Sequence, residues 1–181
     1  YIVATPIGDK DDITIRALKI LKDADIIVGE DYRYTDKLLK NYGINGKTIE
    51  ILNEHNDEEK SRDLLDKLKT GLSVALTTDH GTPLIADPGW QLVDMCYKNN
   101  IKVVAIPGVS SIIAALSVAG IKVDAFEFYS RIPRNSEERK QFFIGLRKHK
   151  NLKVFIDAPY RLVNLLENIY YHLSNNINVI V

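Results

Sequence analysis

Short runs of β-branched and other apolar residues alternate along the chain with longer stretches in which apolar residues recur every three or four positions. The short runs predict buried strands, and the longer stretches predict amphipathic helices. The predicted strands of the first 120 residues are Tyr1–Ala4, Ile26–Gly29, Thr48–Ile51, Ser73–Thr77 and Val103–Ile106. The helices predicted in the same part are Ile13–Lys22, Asp36–Tyr42, Glu58–Thr70, Gln91–Asn99 and Ser111–Val118. Strands separated by single helices favour right-handed crossovers and a mostly parallel sheet.

The alternation is interrupted around Gly120 and then resumes. The later elements are strands at Ala125–Tyr129 and Lys153–Ile156 and helices at Glu137–Lys148 and Arg161–Ser174. We therefore expect an α/β protein with two α/β domains, residues 1–120 and 121–181. Because the chain begins without Met and ends within an apolar run, we expect the second domain to lack its C-terminal part.

Composition places the chain among folded globular proteins. It has 181 residues, of which 45% are hydrophobic and 27% charged, which argues against extended disorder. No apolar run approaches the roughly 18 residues of a membrane span. One cysteine and four scattered histidines form no recognisable metal cluster. With no secretory signal before Tyr1, we expect a cytoplasmic protein without a bound metal.

A formal net charge of zero conceals an uneven distribution. Residues 1–130 carry 15 basic and 20 acidic side chains, whereas residues 131–153, here called the basic block, carry eight basic and two acidic ones. A basic block can bind a polyanion by releasing its counterions, or it can be a solvated helix whose C-terminal cations complement the helix dipole. The candidate contacts for a polyanion are Arg131, Arg134, Arg139, Lys140 and Arg147.

The residues after each predicted strand are the natural place for a ligand, because open α/β sheets bind ligands beyond the carboxyl ends of their strands. All five strands of the first domain are followed by polar segments, most of them with glycine or proline, and residues 77–89 form an unusually long loop. Simpler explanations exist for single residues: Ser110 or Ser111 as a helix N-cap, and Arg33 as an ion-pair partner of Glu30 or Asp31. The fingerprint loops of ATP- and NAD-binding proteins are absent.

Six segments, in order, resemble motifs of the bacterial ribosomal RNA small-subunit methyltransferase I family, cytidine-2′-O-methyltransferases of the tetrapyrrole methylase superfamily. The segments begin at Ala4, Gly29, Asn53, Asp79, Ile106 and Asp157 and read ATPIG, GEDYRYT, NEHN, DHGTPLIADPG, IPGVSS and DAPYRL. The chain departs from the family pattern at several positions, among them Tyr32, which replaces Thr, and His80, which replaces Ala.

The resemblance implies two α/β domains with S-adenosylmethionine held between them. The positions that it assigns to the cofactor pocket are Pro6, Ile7, Asp79, Thr82, Leu84, Ser110, Ser111, Asp157, Ala158 and Pro159. Apolar side chains suit the adenine, and carbonyls and a carboxylate suit the cationic sulfonium. The resemblance also implies a small ribosomal subunit RNA partner, which the basic block would contact, and a homodimer.

The implied reaction is displacement at the sulfonium methyl by a ribose 2′-hydroxyl, which requires no metal. Glu30, Asp31 and His80 are the candidate bases, and Arg33 is the candidate clamp for a phosphate or carboxylate. Two other functions stay open. One is a methyltransferase that acts on a tetrapyrrole or another small molecule, and the other is a non-catalytic module that binds the cofactor or RNA.

Overall fold

The computed structural model describes all residues from 1 to 181. The chain divides into two compact units, residues 1–114 and 115–181. The division falls inside a helix, Ser111–Val118, whereas the sequence pattern placed the domain boundary after Gly120. None of the helices is long and apolar enough to span a lipid bilayer.

The first unit contains a five-stranded parallel sheet. Its strands are β1 Ile2–Val3, β2 Ile26–Gly29, β3 Thr48–Ile51, β4 Val74–Leu76 and β5 Ala105–Ile106, in the spatial order β3-β2-β4-β1-β5. The helices are α1 Ile15–Asp23, α2 Tyr32–Asn41, α3 Asp57–Lys69, α4 Trp90–Lys98 and α5 Ser111–Val118, and a 3₁₀ turn spans Lys10–Asp12. The predicted parallel α/β architecture is confirmed.

Both faces of this sheet are buried, as a parallel sheet requires. Successive residues of β2 alternate between the two cores: Ile27 packs with Leu21 of α1 and Leu39 of α2, and Ile26 and Val28 pack with residues of α3 and α4. Two glycines, Gly43 and Gly71, end α2 and α3 with positive φ angles of 67° and 96°, a conformation that favours glycine. Both α2 and α3 therefore end within one residue of the predicted positions.

The second unit is smaller and has its own core. Its two strands, β6 Phe126–Tyr129 and β7 Leu152–Phe155, pair in parallel and are connected by the helix α6 Ser136–Leu146. The following helix, α7 Leu162–Asn168, continues into a π-helical turn, Ile169–Leu173. The core is formed by Ile132, Phe143, Leu146 and Ile169. The predicted helix Arg161–Ser174 is therefore only partly α-helical.

Candidate active site at the strand-end edge

The C-terminal edge of the five-stranded sheet, here called the strand-end edge, brings together the segments that follow β1, β2, β4 and β5. The segments after β1 and β4 are joined directly. Thr5 and Gly81 exchange backbone hydrogen bonds of 2.8 and 3.1 Å, and the buried Thr5 hydroxyl donates to the Thr78 carbonyl at 3.1 Å. These bonds fix the beginning of the long loop, residues 77–89, against the first strand.

The long loop has a strained backbone. Leu84 and Ala86 adopt φ angles of 72° and 79°, which side-chain-bearing residues rarely occupy and which cost on the order of 1–3 kcal/mol each. The Thr82 hydroxyl donates to the Val109 carbonyl at 2.9 Å, so the loop is also tied to the segment after β5. Strain of this kind is typical of ligand sites, where the surrounding contacts maintain it.

Two glycines allow close backbone approach at this edge. A Cβ atom at Gly108 would lie 2.7 Å from the Cβ of Ala4, so no side chain fits between the segments after β1 and β5. At Gly81, whose φ is +88°, a Cβ would lie 3.2 Å from Cγ2 of Ile7. Both glycines therefore allow neighbouring strand-end segments to approach each other closely.

Asp79 has an unsatisfied carboxylate oxygen. Its Oδ1 atom is buried and has no hydrogen-bond partner. Burial raises the pKa of Asp79, and the charges of Glu30 and Asp31 raise it further. A buried acceptor without a donor is costly, so this position favours a ligand that brings a positive charge or a donor.

A second carboxylate of the long loop, Asp87, faces the same edge. The Thr78 hydroxyl donates to Oε1 of Glu30 and also interacts with Asp87. Burial, followed by the charge of Glu30, raises the pKa of Asp87 to about 6. Asp87 was not among the predicted site residues; the available signal was a second aspartate within the most distinctive motif.

Asp31 has a local structural role. Its side chain caps α2 and accepts hydrogen bonds from the backbone N–H groups of Arg33 at 2.7 Å and Tyr34 at 3.4 Å. The first of these bonds is the main reason why its pKa is lowered. This cap starts α2 at Tyr32, so the predicted start at Asp36 is wrong and the segment expected to be a loop forms the first helical turn.

The other predicted catalytic residues lie at the same edge. Arg33 is 89% exposed, and its Nε lies 3.6 Å from Oδ1 of Asp31. His80 contacts Tyr34 edge to face, with ring centroids 5.9 Å apart. The structure thus brings Glu30, Asp31, Arg33 and His80 onto two adjacent strand ends. No group of three or more His, Cys, Asp or Glu side chains is placed to hold a metal ion.

The predicted cofactor residues are divided between the two units. The seven at the strand-end edge of the first unit are Pro6, Ile7, Asp79, Thr82, Leu84, Ser110 and Ser111. The other three, Asp157, Ala158 and Pro159, follow β7 in the second unit. There Asp157 accepts a hydrogen bond from the Ala158 N–H at 2.8 Å and pairs with Arg161 at 3.1 Å.

The basic block contains both structural and exposed cations. Arg139 donates to the Arg134 carbonyl at 2.9 Å, and Arg147 donates to the His172 carbonyl at 2.8 Å. Lys140 lies 3.9 Å from Glu137, and the side chains of Arg131 and Arg134 are exposed. Two of the five candidate RNA contacts therefore hold the backbone of the second unit together.

The chain is similar in sequence to proteins named as methyltransferases. It is 41% identical over 181 residues to ribosomal RNA small subunit methyltransferase I of Vibrio cholerae, covering 100% of this chain and 62% of the relative. Identity to the Thermotoga maritima protein of the same name is 40% over 168 residues, covering 93% and 75%. The chain thus spans about three fifths of the length of most of the curated relatives compared.

Solved structures share the fold at low sequence identity. A cobalt precorrin-4 methyltransferase of cobalamin biosynthesis matches with a TM-score of 0.67 and 21% identity, covering 96% of this chain and 74% of that one. Uroporphyrin-III C-methyl transferase from Thermus thermophilus, complexed with S-adenosylhomocysteine, matches with a TM-score of 0.61 and 20% identity, covering 90% and 71%. The family model of the tetrapyrrole (corrin/porphyrin) methylases matches residues 1–181 in full, and the chain belongs to this family.

Proposed function

We propose that the protein is an S-adenosylmethionine-dependent methyltransferase that methylates the 2′-hydroxyl of a cytidine in small-subunit (16S) ribosomal RNA. The observation that carries the proposal is 41% identity, over all 181 residues, to an enzyme named as a small-subunit ribosomal RNA methyltransferase. The matched region includes the whole strand-end edge. A polar edge with a strained loop and an unsatisfied carboxylate is the kind of surface on which such chemistry is performed.

The strand-end edge has features that suit the methyl donor. The unpaired Oδ1 of Asp79 fits a cationic or donor-bearing ligand, and the apolar residues Ile7 and Leu84 lie in the segments after β1 and β4 at the same edge. When bound, S-adenosylmethionine supplies a methyl group already activated by its sulfonium charge. We assign its binding to these residues, together with Pro6, Thr82, Ser110 and Ser111; the cofactor role of Asp157, Ala158 and Pro159 stays a prediction.

The carboxylates of the edge differ in their fitness to take a proton from a hydroxyl. Asp31 is engaged as a helix cap with a lowered pKa, so it is the weakest base of the group. Glu30 is held in place by the Thr78 hydroxyl, and burial raises the pKa of Asp87 to about 6. Glu30 and Asp87 are therefore the better candidates, with His80 beside them; a general base contributes about 10²–10⁴-fold to the rate.

The RNA partner is assigned to the exposed cations. Arg131 and Arg134 are exposed and Lys140 is only loosely paired with Glu137, so these three are assigned to phosphates, whereas Arg139 and Arg147 contribute through the fold that they stabilise. The proposal includes a cytoplasmic location, because its substrate is ribosomal RNA. We also propose that the protein is a homodimer, as the family resemblance implies. Light scattering of the purified full chain measures its molar mass and tests this.

The test is methyl transfer to ribosomal subunits. The full natural chain is incubated with labelled S-adenosylmethionine and small subunits from cells that lack the endogenous activity. We expect label in the RNA at the 2′-oxygen of a cytidine, mapped by resistance to alkaline cleavage. Label on a tetrapyrrole and none on RNA would replace the proposed acceptor by a small molecule, and no label on either would contradict enzymatic activity.

A further inference from the structure

The strand-end edge has two chemically different sides. The spatial order β3-β2-β4-β1-β5 places the long loop, which follows β4, between the segments after β1 and β2. On the β1 side its Gly81 lies against the apolar side chain of Ile7. On the β2 side it meets carboxylates and aromatic rings, as at Glu30 and Tyr34. The β1 side suits the adenosine of the methyl donor, Asp79 of the long loop lies between the two sides for the sulfonium charge, and the β2 side is left for the acceptor.

Two aromatic side chains from different elements meet on the β2 side. Tyr34 lies in the first turn of α2 and His80 in the long loop, and their ring planes make an angle of 73°. Tyr34 is 52% exposed and His80 is also exposed, so the pair presents ring surface to solvent. These two residues are called the aromatic pair below.

Hydrogen bonds hold the backbone on both sides of the pair. The Asp31 carboxylate accepts from the N–H of Tyr34, and the residue after His80, Gly81, is bridged to Thr5. The side chains of Thr78 and Glu30 already connect the long loop to the segment that leads into α2. The ring contact is therefore not required to join α2 to the long loop, and its exposed surface is preorganised for a ligand.

The charges around the pair discriminate between ligand groups. Glu30, Asp31, Asp79 and Asp87 surround this side of the edge with negative charge, which disfavours a phosphate but not a neutral aromatic base. The exposed guanidinium of Arg33, on the same helical turn as Tyr34, supplies a cation at the periphery. A nucleobase flanked by a phosphate matches this arrangement.

We infer that Tyr34 and His80 form the platform on which a nucleobase of the RNA substrate stacks, with Arg33 contacting the adjacent phosphate. The inference rests on the proposed function, because it assigns the residues that receive the acceptor nucleotide. Aromatic rings stack on unpaired bases in many RNA-binding proteins, and every base offers a face for such stacking. The platform holds the nucleotide next to Glu30 and Asp87.

The experiment uses the full natural chain and a single-stranded RNA oligonucleotide in which 2-aminopurine replaces one base, whose fluorescence is quenched on stacking. We expect Tyr34→Ala and His80→Ala each to weaken RNA binding about tenfold and to remove most of the quenching. Tyr34→Phe keeps the ring and should restore most of what Tyr34→Ala loses. Affinity for S-adenosylhomocysteine should stay within about twofold of wild type in all three variants.

The matched control is Tyr97→Ala, which removes a 66% exposed tyrosine from the last turn of α4, at the opposite end of that helix from the long loop. Wild-type RNA binding and quenching in both alanine variants would overturn the platform while leaving the proposed function intact. Equal losses of RNA and S-adenosylhomocysteine affinity would also overturn it, by showing that the pair only holds the edge together. A wild-type protein that binds neither ligand would overturn both proposals.

Discussion

The carboxylate of Asp57, in the first turn of α3, accepts a hydrogen bond from the backbone N–H of Gly89 at 3.2 Å. Its other oxygen accepts from the buried Ser61 hydroxyl at 3.1 Å. Gly89 ends the long loop with a φ of +105°, packed closely against Leu84 and Leu76. Asp57 therefore anchors the end of a strained loop whose beginning is anchored by Thr5.

Replacing this anchor should loosen the loop. We expect Asp57→Ala to speed amide hydrogen exchange at Gly89 about tenfold, because a hydrogen bond to a charged group contributes about 1.5–3 kcal/mol. Asp57→Asn can keep an acceptor for Gly89 and should retain most of the protection. Glu59→Ala removes an exposed carboxylate from the same helical turn and serves as the control. Unchanged exchange at Gly89 in Asp57→Ala would contradict the anchor.

The close approach at Gly108 predicts a penalty for a single methyl group. In Gly108→Ala the new Cβ would lie 2.7 Å from the Cβ of Ala4, and we expect the free energy of unfolding to fall by about 1–3 kcal/mol. In Gly145→Ala, inside α6, the new Cβ meets no atom within 4 Å, and we expect a gain of about 0.5–1 kcal/mol. Urea denaturation of both variants measures the difference, and a stabilising Gly108→Ala would refute the packing.

The raised pKa of Asp87 predicts a pH-dependent stability. The folded protein holds the proton up to about pH 6, whereas the unfolded chain releases it near pH 4. Between these values the folded state binds more protons, so the contribution of Asp87 to stability falls as the pH rises. Asp87→Asn does not titrate, and the full shift would raise its stability relative to wild type by about 2 kcal/mol from about pH 4.5 to about pH 7.5. Because Asp87 is only half-buried and solvent screens its charge, we expect about 1 kcal/mol. A constant difference across this range would argue against the shift.

The two kinds of arginine in the basic block should respond differently to substitution. Arg131→Ala combined with Arg134→Ala should reduce the slope of log affinity for RNA against log salt by about 1.4, because each phosphate that is no longer neutralised lowers the slope by about 0.7. Arg147→Ala removes the donor to the His172 carbonyl, so it should mainly lower stability, by about 1 kcal/mol. If Arg147→Ala reduced the salt dependence and the double variant did not, Arg147 would be the phosphate contact and the assignment above would be wrong.

Much of the fold was predictable because local preference and burial agree. Strands β2 and β3 and helix α5 have the predicted limits, since runs of β-branched residues and a serine start leave few alternatives. The start of α2 was predicted wrongly because an aspartate can be either a helix N-cap or a catalytic residue. Nothing in the sequence around Asp31 distinguishes these two roles. The positive φ angles of Leu84 and Ala86 were unpredictable, because the usual signal for that conformation is glycine.

The candidate site was predictable as a place but not in its internal contacts. Polar segments after parallel strands indicated the edge, since the chain topology alone brings strand ends together. The burial that isolates Oδ1 of Asp79 and raises the pKa of Asp87 depends on how the long loop folds back, which no local pattern encodes. The structural roles of Arg139 and Arg147 likewise depend on distant carbonyl groups.

Calorimetric titration of S-adenosylhomocysteine into the full natural chain tests the central claim most directly, with ATP and NAD as comparators. We predict saturable binding with a Kd on the order of micromolar, and a loss of about tenfold in Asp79→Asn, which reduces the negative charge at the unsatisfied oxygen. ATP and NAD should not bind detectably in the same concentration range. A folded protein that gives no saturable heat with S-adenosylhomocysteine, or that binds ATP equally well, would contradict the assignment of the strand-end edge to a methyl donor.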